Sequence, residues 1–377
     1  MILKRIELAN FRNYTQLVLN TNHRVNLLVG ANAQGKTNLL ESIHVLALTR
    51  SHRTSRDKEM IRWNEPFAHL QGLVERKHGD TRLDLTISRQ GKKAKINGLE
   101  QRKLSDFVGA FNVVMFAPED LEIVKGSPSV RRRFLDMEIA QVQPAYLYHL
   151  LQYQKALAQR NHLLKQIQSG DGRIRPAELE IWNAQLAEHG SKIIQKRESF
   201  IGKLQQWAEV THAGITNGKE RLLIRYQPSF ETESFHDDAM LFEQFMLKLS
   251  HVKELEIRKG ATLVGPHRDD LVFFINGKEV HTFGSQGQQR TTALSLKLAE
   301  IELMNQEVGE YPVLLLDDVL SELDQERQTM LIETFQSKVQ TFITATGIES
   351  VYLHRLKDAC IYEVSEGKVY RGDQGKG

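Results

Sequence analysis

Residues 30 to 37 read Gly-Ala-Asn-Ala-Gln-Gly-Lys-Thr, and no other stretch restricts the folds open to this chain as tightly. The apolar run Val25 to Val29 ends at Gly30, and Leu39, Leu40, Ile43 and Leu46 then recur at helical spacing. A strand therefore enters a glycine turn and leaves as a helix. That is the context in which the Gly-x4-Gly-Lys-Thr pattern becomes a phosphate cradle rather than a chance match. Glycines let backbone N–H groups close around phosphate, and the helix N-terminus adds positive potential. Lys36 supplies a cation for the β and γ phosphates, and Thr37 a hydroxyl ligand for Mg²⁺. The whole segment Gly30, Ala31, Asn32, Ala33, Gln34, Gly35, Lys36, Thr37 and Asn38 is the expected ATP-binding element.

A phosphate loop calls for a second half-site, and Val313-Leu314-Leu315-Leu316-Asp317-Asp318 has its form. A buried strand presents two carboxylates at its end. Asp317 is placed to hold Mg²⁺ and Asp318 to polarise the attacking water, so Lys36, Asp317 and Asp318 are the expected catalytic set. Between the two half-sites, Phe283-Gly284-Ser285-Gln286-Gly287-Gln288-Gln289-Arg290 opens an amphipathic helix and resembles the signature of ABC ATPases. Ser285, Gln286, Gly287 and Gln288 suit a γ-phosphate at a helix N-terminus, and Ser285 equally suits an ordinary helix cap. Val319 to Asp324 looks like the D-loop that follows the acidic strand in the same proteins. One phosphate loop and one signature per chain imply a homodimer with two ATP molecules between its copies.

The fold expected is α/β: an ABC-type ATPase head of mixed sheets with flanking helices, interrupted by a helical lobe. Short alternating strands from His69 to Leu99 predict an antiparallel meander, and Phe111 to Phe116 a buried strand. From Pro144 to about Val210 the periodicity changes to that of two helices, the second reaching about 45 to 50 Å at ~1.5 Å per residue. Strand and helix alternation returns after Leu271. The expected head spans 1–120 plus 250–377, and the lobe 121–249.

Charge and cysteine usage narrow the partners and the compartment. From Arg50 to Arg133 there are 18 Lys and Arg against 11 Asp and Glu, a local +7 in a chain of net +3. Either one positive face or scattered surface charge accounts for it. A single cysteine, Cys360, excludes an internal disulfide and reads as core. No apolar run approaches the ~20 residues of a membrane span, and the charged start lacks a secretory signal, which predicts a cytoplasmic protein with no membrane partner.

Beyond the ATPase motifs, the chain resembles the RecF family of bacterial recombination mediators, relatives of the SMC ATPases, over nearly its full length. The residues that carry the resemblance are Pro118-Glu119-Asp120, Gly126-Ser127-Pro128, Arg131 to Asp136, Gly265-Pro266-His267-Arg268-Asp269, Phe11-Arg12-Asn13-Tyr14 and Ser51-His52-Arg53-Thr54. The resemblance implies an ATP-dependent dimer that binds double-stranded DNA and single/double-strand junctions near gaps. It also implies cooperation with RecR and RecO in loading RecA, with slow, DNA-stimulated hydrolysis as a timer. It implies nucleotide contacts by Arg12 and Asn13, a place for Arg53 near the γ-phosphate or DNA, and contacts of Arg56, Arg131, Arg132 and Arg133 with DNA. Each of these arginines also has a structural reading, and one of Arg131 to Arg133 is expected to face inward. His267 and Arg268 read either as support for the ATP site or as lobe packing. Two departures from the wider ABC pattern stand out. Asp318 stands where many relatives carry glutamate, and Phe342 to Thr346 offers threonines in place of a switch histidine. Glu119 and Asp120 are both candidates for the missing Q-loop residue. A transporter ATPase subunit would need neither the helical insertion nor the basic stretch. The chain is too short for a long-coiled-coil chromosome protein, and the signature and D-loop disfavour a P-loop kinase.

Overall fold

The computed structural model describes residues 1–170, 176–320, 325–347 and 359–372. In chain order the first half runs β1 (Ile2–Phe11), β2 (Tyr14–Asn20), β3 (Val25–Val29), α1 (Lys36–Leu48), β4 (Phe67–Arg76), β5 (Gly79–Ser88), β6 (Gly91–Ile96), β7 (Leu99–Glu100) and β8 (Val113–Phe116). Next come α2 (Leu121–Lys125), α3 (Pro128–Val142), α4 (Pro144–Gln168), α5 (Pro176–Ile215), β9 (Leu222–Gln227), α6 (Asp238–Lys259), β10 (Asp270–Ile275), β11 (Lys278–Glu279), α7 (Val280–Phe283) and α8 (Gln286–Val308). The chain closes with β12 (Val313–Asp317), α9 (Gln325–Phe335), β13 (Thr341–Ala345), β14 (Ala359–Ser365) and β15 (Lys368–Arg371). None of the described helices is long and apolar enough to cross a membrane.

These elements form two compact units: residues 1–120, 214–217 and 293–377, and residues 121–213 and 218–292. The first holds two six-stranded sheets. One, ordered β2-β1-β4-β5-β6-β7, is antiparallel throughout, and the β4, β5, β6 and β7 portion is the meander expected from the alternation after His69. The other is ordered β15-β14-β3-β13-β12-β8, and its five strands from β14 to β8 run parallel. Parallel strands buried on both faces must be apolar along their length. Accordingly Val313 to Leu316 and Phe342 to Ile343 are solvent-free, and Cys360 is a core residue of β14.

The second unit differs from the sequence expectation in three ways. It extends through Thr292 rather than stopping at 249, because β10 pairs along its whole length with β9 and at Phe274 and Ile275 with β11 in a three-stranded sheet. The lobe is therefore not purely helical. Its second long helix, α5, has 40 residues, about 60 Å at ~1.5 Å each, which exceeds the expected reach. Helix α6 was not foreseen. It starts at Asp237, whose carboxylate accepts from the Met240 N–H at 3.0 Å, and ends at Gly260 in the left-handed region.

Candidate nucleotide site

In the parallel sheet β13 lies between β3 and β12, so the C-terminal ends of all three strands reach the same edge. Gly30 follows β3, Thr344 lies near the end of β13, and Asp317 ends β12. The loop at Gly30 has no room for a side chain, since a Cβ there would stand 2.2 Å from the Val364 carbonyl oxygen. Gly35 has φ 119°, and a Cβ would meet the Asn13 amide at 2.6 Å. Helix α1 starts straight from this loop with no side-chain cap and no acid in its first turn. Nothing of its own competes there with a phosphate.

The Lys36 ammonium donates to the Gly30 and Ala31 carbonyls at 2.6 and 2.8 Å, so its charge stays inside the loop. Burial lowers its pKa, and the carboxylates of Asp318 and Asp317 oppose that shift. The Thr37 hydroxyl donates to Asp317 Oδ1 at 2.9 Å, joining the two half-sites across 280 residues of sequence. Thr344 Oγ1 donates to the same oxygen at 2.8 Å and accepts from the Asp318 N–H at 2.9 Å. Burial pushes the Asp317 carboxyl up, the two hydroxyl donors pull it down, and Glu119 pushes it up again. Asp318, the residue after β12, is exposed and takes the left-handed conformation at φ 55°.

This donor set fits Mg²⁺. A hydroxyl and a carboxylate are hard oxygen ligands, and a pair of them from the protein, completed by phosphate oxygens and water, is how Mg²⁺ is usually held beside a nucleotide. Thr344 is the residue whose role was not legible in the sequence; its one signal was a threonine where a switch histidine is usual. Of the two Q-loop candidates, Asp120 accepts from the Ala117 N–H at 2.8 Å and so fastens its own turn. Glu119 is exposed and acts electrostatically on Asp317, which places it on the nucleotide side.

A polar shell surrounds the loop. Asn13 donates to the Gln34 carbonyl at 3.1 Å and accepts from Asn38 at 2.8 Å, while the Tyr14 hydroxyl donates to the Gly35 carbonyl at 3.0 Å. Arg12 makes a forked pair with the fully buried Glu41 at 2.8 and 2.6 Å and donates to the Glu59 carbonyl at 2.6 Å. In this conformation Arg12 is committed to organising the shell rather than to a nucleotide. Arg53 reaches Asn38 at 2.9 Å and lies 3.6 Å from Glu41, so it too belongs to the nucleotide side. Arg56 lies at the edge of that network, 72% exposed and 3.6 Å from Glu59.

In the other unit, Ser285 and Gln288 form a reciprocal cap. The Gln288 N–H donates to Ser285 Oγ at 3.2 Å, and the Ser285 N–H to Gln288 Oε1 at 3.0 Å. Gln288 also donates to Glu220 at 2.8 Å, and Ser285, Gln286 and Gly287 are exposed. The cap reading of Ser285 is thus realised while its loop remains open to a ligand. The expected D-loop residues 321–324 lie outside the described residues.

One sequence expectation is corrected here, and one alternative is decided. Arg131 is buried and forms a forked pair with Asp270 at 2.7 and 2.8 Å while donating to the Gly126 carbonyl at 2.7 Å, so it has no reach to DNA. Arg132 donates to the Asp269 carbonyl at 2.8 Å, and of the three arginines only Arg133 is exposed. His267 and Arg268 are lobe-packing residues: His267 bonds Tyr153 at 2.6 Å, and Arg268 donates to the Thr262 carbonyl at 3.0 Å.

Residues 2–362 match the family model of the RecF/RecN/SMC N-terminal domain. The chain is 55% identical to the DNA replication and repair protein RecF of Bacillus cereus (strain G9842), covering 98% of both chains. It is 54% identical, with the same coverage, to that of Bacillus thuringiensis (strain Al Hakam). Among solved structures it is similar to the recombination mediator protein RecF with ATP in the RecFOR pathway, with TM-score 0.90, 37% identity, and 98% and 97% of the two chains covered. A Pyrococcus furiosus Smc head domain shares the fold, with TM-score 0.55 at 16% identity over 98% of this chain and 96% of that one.

Proposed function

The chain belongs to the RecF branch of the RecF/RecN/SMC family, and from that premise we propose that it is an ATP-dependent DNA-binding protein of recombinational DNA repair. ATP sits at the Gly30–Thr37 loop, and Thr37 with Asp317 holds Mg²⁺, which would neutralise charge building up on the phosphates. Lys36 steadies the β and γ phosphates, and Asp318 orients the attacking water. Ser285 to Gln288 of a second copy complete the site, so that ATP closes a homodimer around double-stranded DNA near a single-strand gap. In concert with RecR and RecO the closed dimer promotes RecA loading, and slow, DNA-stimulated hydrolysis reopens it in the cytoplasm. The observation that supports the reading is the contact of Thr37 and Thr344 with one oxygen of Asp317, which brings three distant segments together as a metal-and-phosphate site requires.

Sedimentation with and without ATP tests it. The wild type is expected to sediment as a dimer with ATP, and Lys36→Met as a monomer. DNA affinity in the ATP state should fall roughly 10-fold or more between about 50 and 200 mM salt. A wild type that stays monomeric at saturating ATP and DNA would sink the sandwich, and DNA affinity indifferent to both salt and ATP would sink the DNA reading.

A further inference from the structure

Trp63 is 90% exposed, an unusual setting for the side chain with most to gain from burial. Hydrogen bonds tie down the turn that carries it. The Arg62 N–H donates to the Asn10 carbonyl at 2.8 Å, the Glu65 N–H to the Arg62 carbonyl at 3.1 Å, and the Asn10 amide to Glu65 at 3.3 Å. Asn64 takes the left-handed conformation that closes the turn. The indole is thus held out by its own backbone.

The surroundings of this turn follow from the strand register. Phe67, 42% exposed, starts β4 opposite Ser88, so the β5–β6 turn with its exposed Arg89 lies beside it. Lys92, at the start of β6, pairs with Asp57 at 2.6 Å and draws in the short turn that carries the exposed Arg56 and Lys58. Two aromatic side chains and the cations Arg56, Lys58, Arg62 and Arg89 therefore share one end of the antiparallel sheet. This is the end that faces the phosphate loop. Phe11 bridges to Ile61, the Arg12 N–H donates to the Met60 carbonyl, and the next residue, Asn13, bonds the loop at Gln34.

We propose that this end of the sheet is a base-stacking platform, on which Trp63 receives an unpaired nucleobase while the surrounding arginines and Lys58 hold the flanking phosphates. Cations alone would grip any duplex. A projecting indole gains only where a base is out of its stack, and every base offers a π-face, so the surface selects gapped or frayed nucleic acid without reading its sequence. The inference rests on the DNA-binding reading above and assigns its preference for gaps to a particular side chain and surface.

The test compares a duplex oligonucleotide bearing a short single-stranded gap with the same duplex left intact, both with saturating ATP. Trp63→Ala is expected to weaken gapped-DNA binding about 10-fold or more and to change intact-duplex binding no more than about twofold, whereas Trp63→Phe keeps most of the gapped affinity. Equal losses on both DNAs, or no loss on either, overturn the platform while leaving DNA binding in place. Loss of ATP-driven self-association with DNA affinity intact overturns it in favour of a contact between copies. A wild type that binds neither DNA overturns the functional reading itself, and the platform with it.

Discussion

At the scale of single residues, the nucleotide site depends on how Asp317 is shared. One carboxylate oxygen accepts from both Thr37 and Thr344, and burial raises the carboxyl's affinity for a proton. A divalent cation would stabilise the ionised carboxylate that burial penalises, which would suit this side chain to a metal. Asp317→Asn keeps the shape and removes the charge. It is expected to lower ATP hydrolysis by about 100-fold or more while Mg²⁺-free nucleotide binding persists, as checked by phosphate release and by fluorescent-nucleotide titration in EDTA. Binding lost equally with and without Mg²⁺ would rule out the metal role. Lys36 and Thr37 were legible because the phosphate loop is a local object whose residues act within one turn of chain. The role of Thr344 was not, because it follows from β13 lying between β3 and β12, a fact of sheet order.

Buried ion pairs tie the lobe together at the scale of its elements. Arg160, with no exposed surface, bonds Asn183 of α5, Thr262 and Glu256 of α6 at 2.7, 2.8 and 2.6 Å. Arg197 of α5 joins Asp136 of α3, Tyr146 of α4 and the Pro266 carbonyl at 2.7, 3.0 and 2.7 Å. Gly265 makes this packing possible: its φ is 119°, and a Cβ would stand 2.4 Å from the Tyr153 hydroxyl. The Gly265 to Asp269 segment is therefore an architectural motif of the lobe. Arg131 belongs to the same scheme through α3 and β10. Arg131→Gln should destabilise the protein by about 2 to 3 kcal/mol, somewhat below the cost of breaking a fully buried pair because Asp270 keeps partial exposure. The dependence of DNA affinity on salt should stay as in the wild type. Urea unfolding and a salt titration check both, and a shallower salt slope would return Arg131 to the DNA surface. From sequence, three consecutive arginines read as one basic patch. Helical geometry sends them in different directions, and Asp270, 139 residues away, is what claims the first.

For the whole molecule, buried neutral histidines make stability depend on pH. Burial and the nearby His52 hold His44 down at about 3 with its ring on the Arg50 carbonyl, and burial holds His267 at about 4. In the unfolded chain both titrate near 6.5. Between those values the unfolded state binds protons that the folded state refuses, so stability present above pH 6.5 is lost as pH falls toward 4. Each histidine is expected to remove about 2 kcal/mol between pH 7 and pH 5. Urea midpoints at the two pH values check this, with His44→Gln expected to lose its share of the drop. A flat profile in the wild type would show that these rings are not held neutral.

The glycine loop before α1, the acidic strand β12 and the start of α8 were determined by the sequence alone, since each is a short segment whose chemistry and backbone preference agree locally. The alternation of strands and the helical stretch after Pro144 were equally plain, because burial on one face imposes a period that can be read without knowing the partner. Tertiary structure decided which charges serve the site and which serve the frame. It gave Arg12 to Glu41 and Arg131 to Asp270, put Thr344 on Asp317, extended the lobe through a sheet made of β9, β10 and β11, and left Trp63 in solvent. The reason is physical. A charged or aromatic side chain takes its role from whatever lies within a few ångströms of it, and for these residues most of those neighbours come from remote parts of the chain.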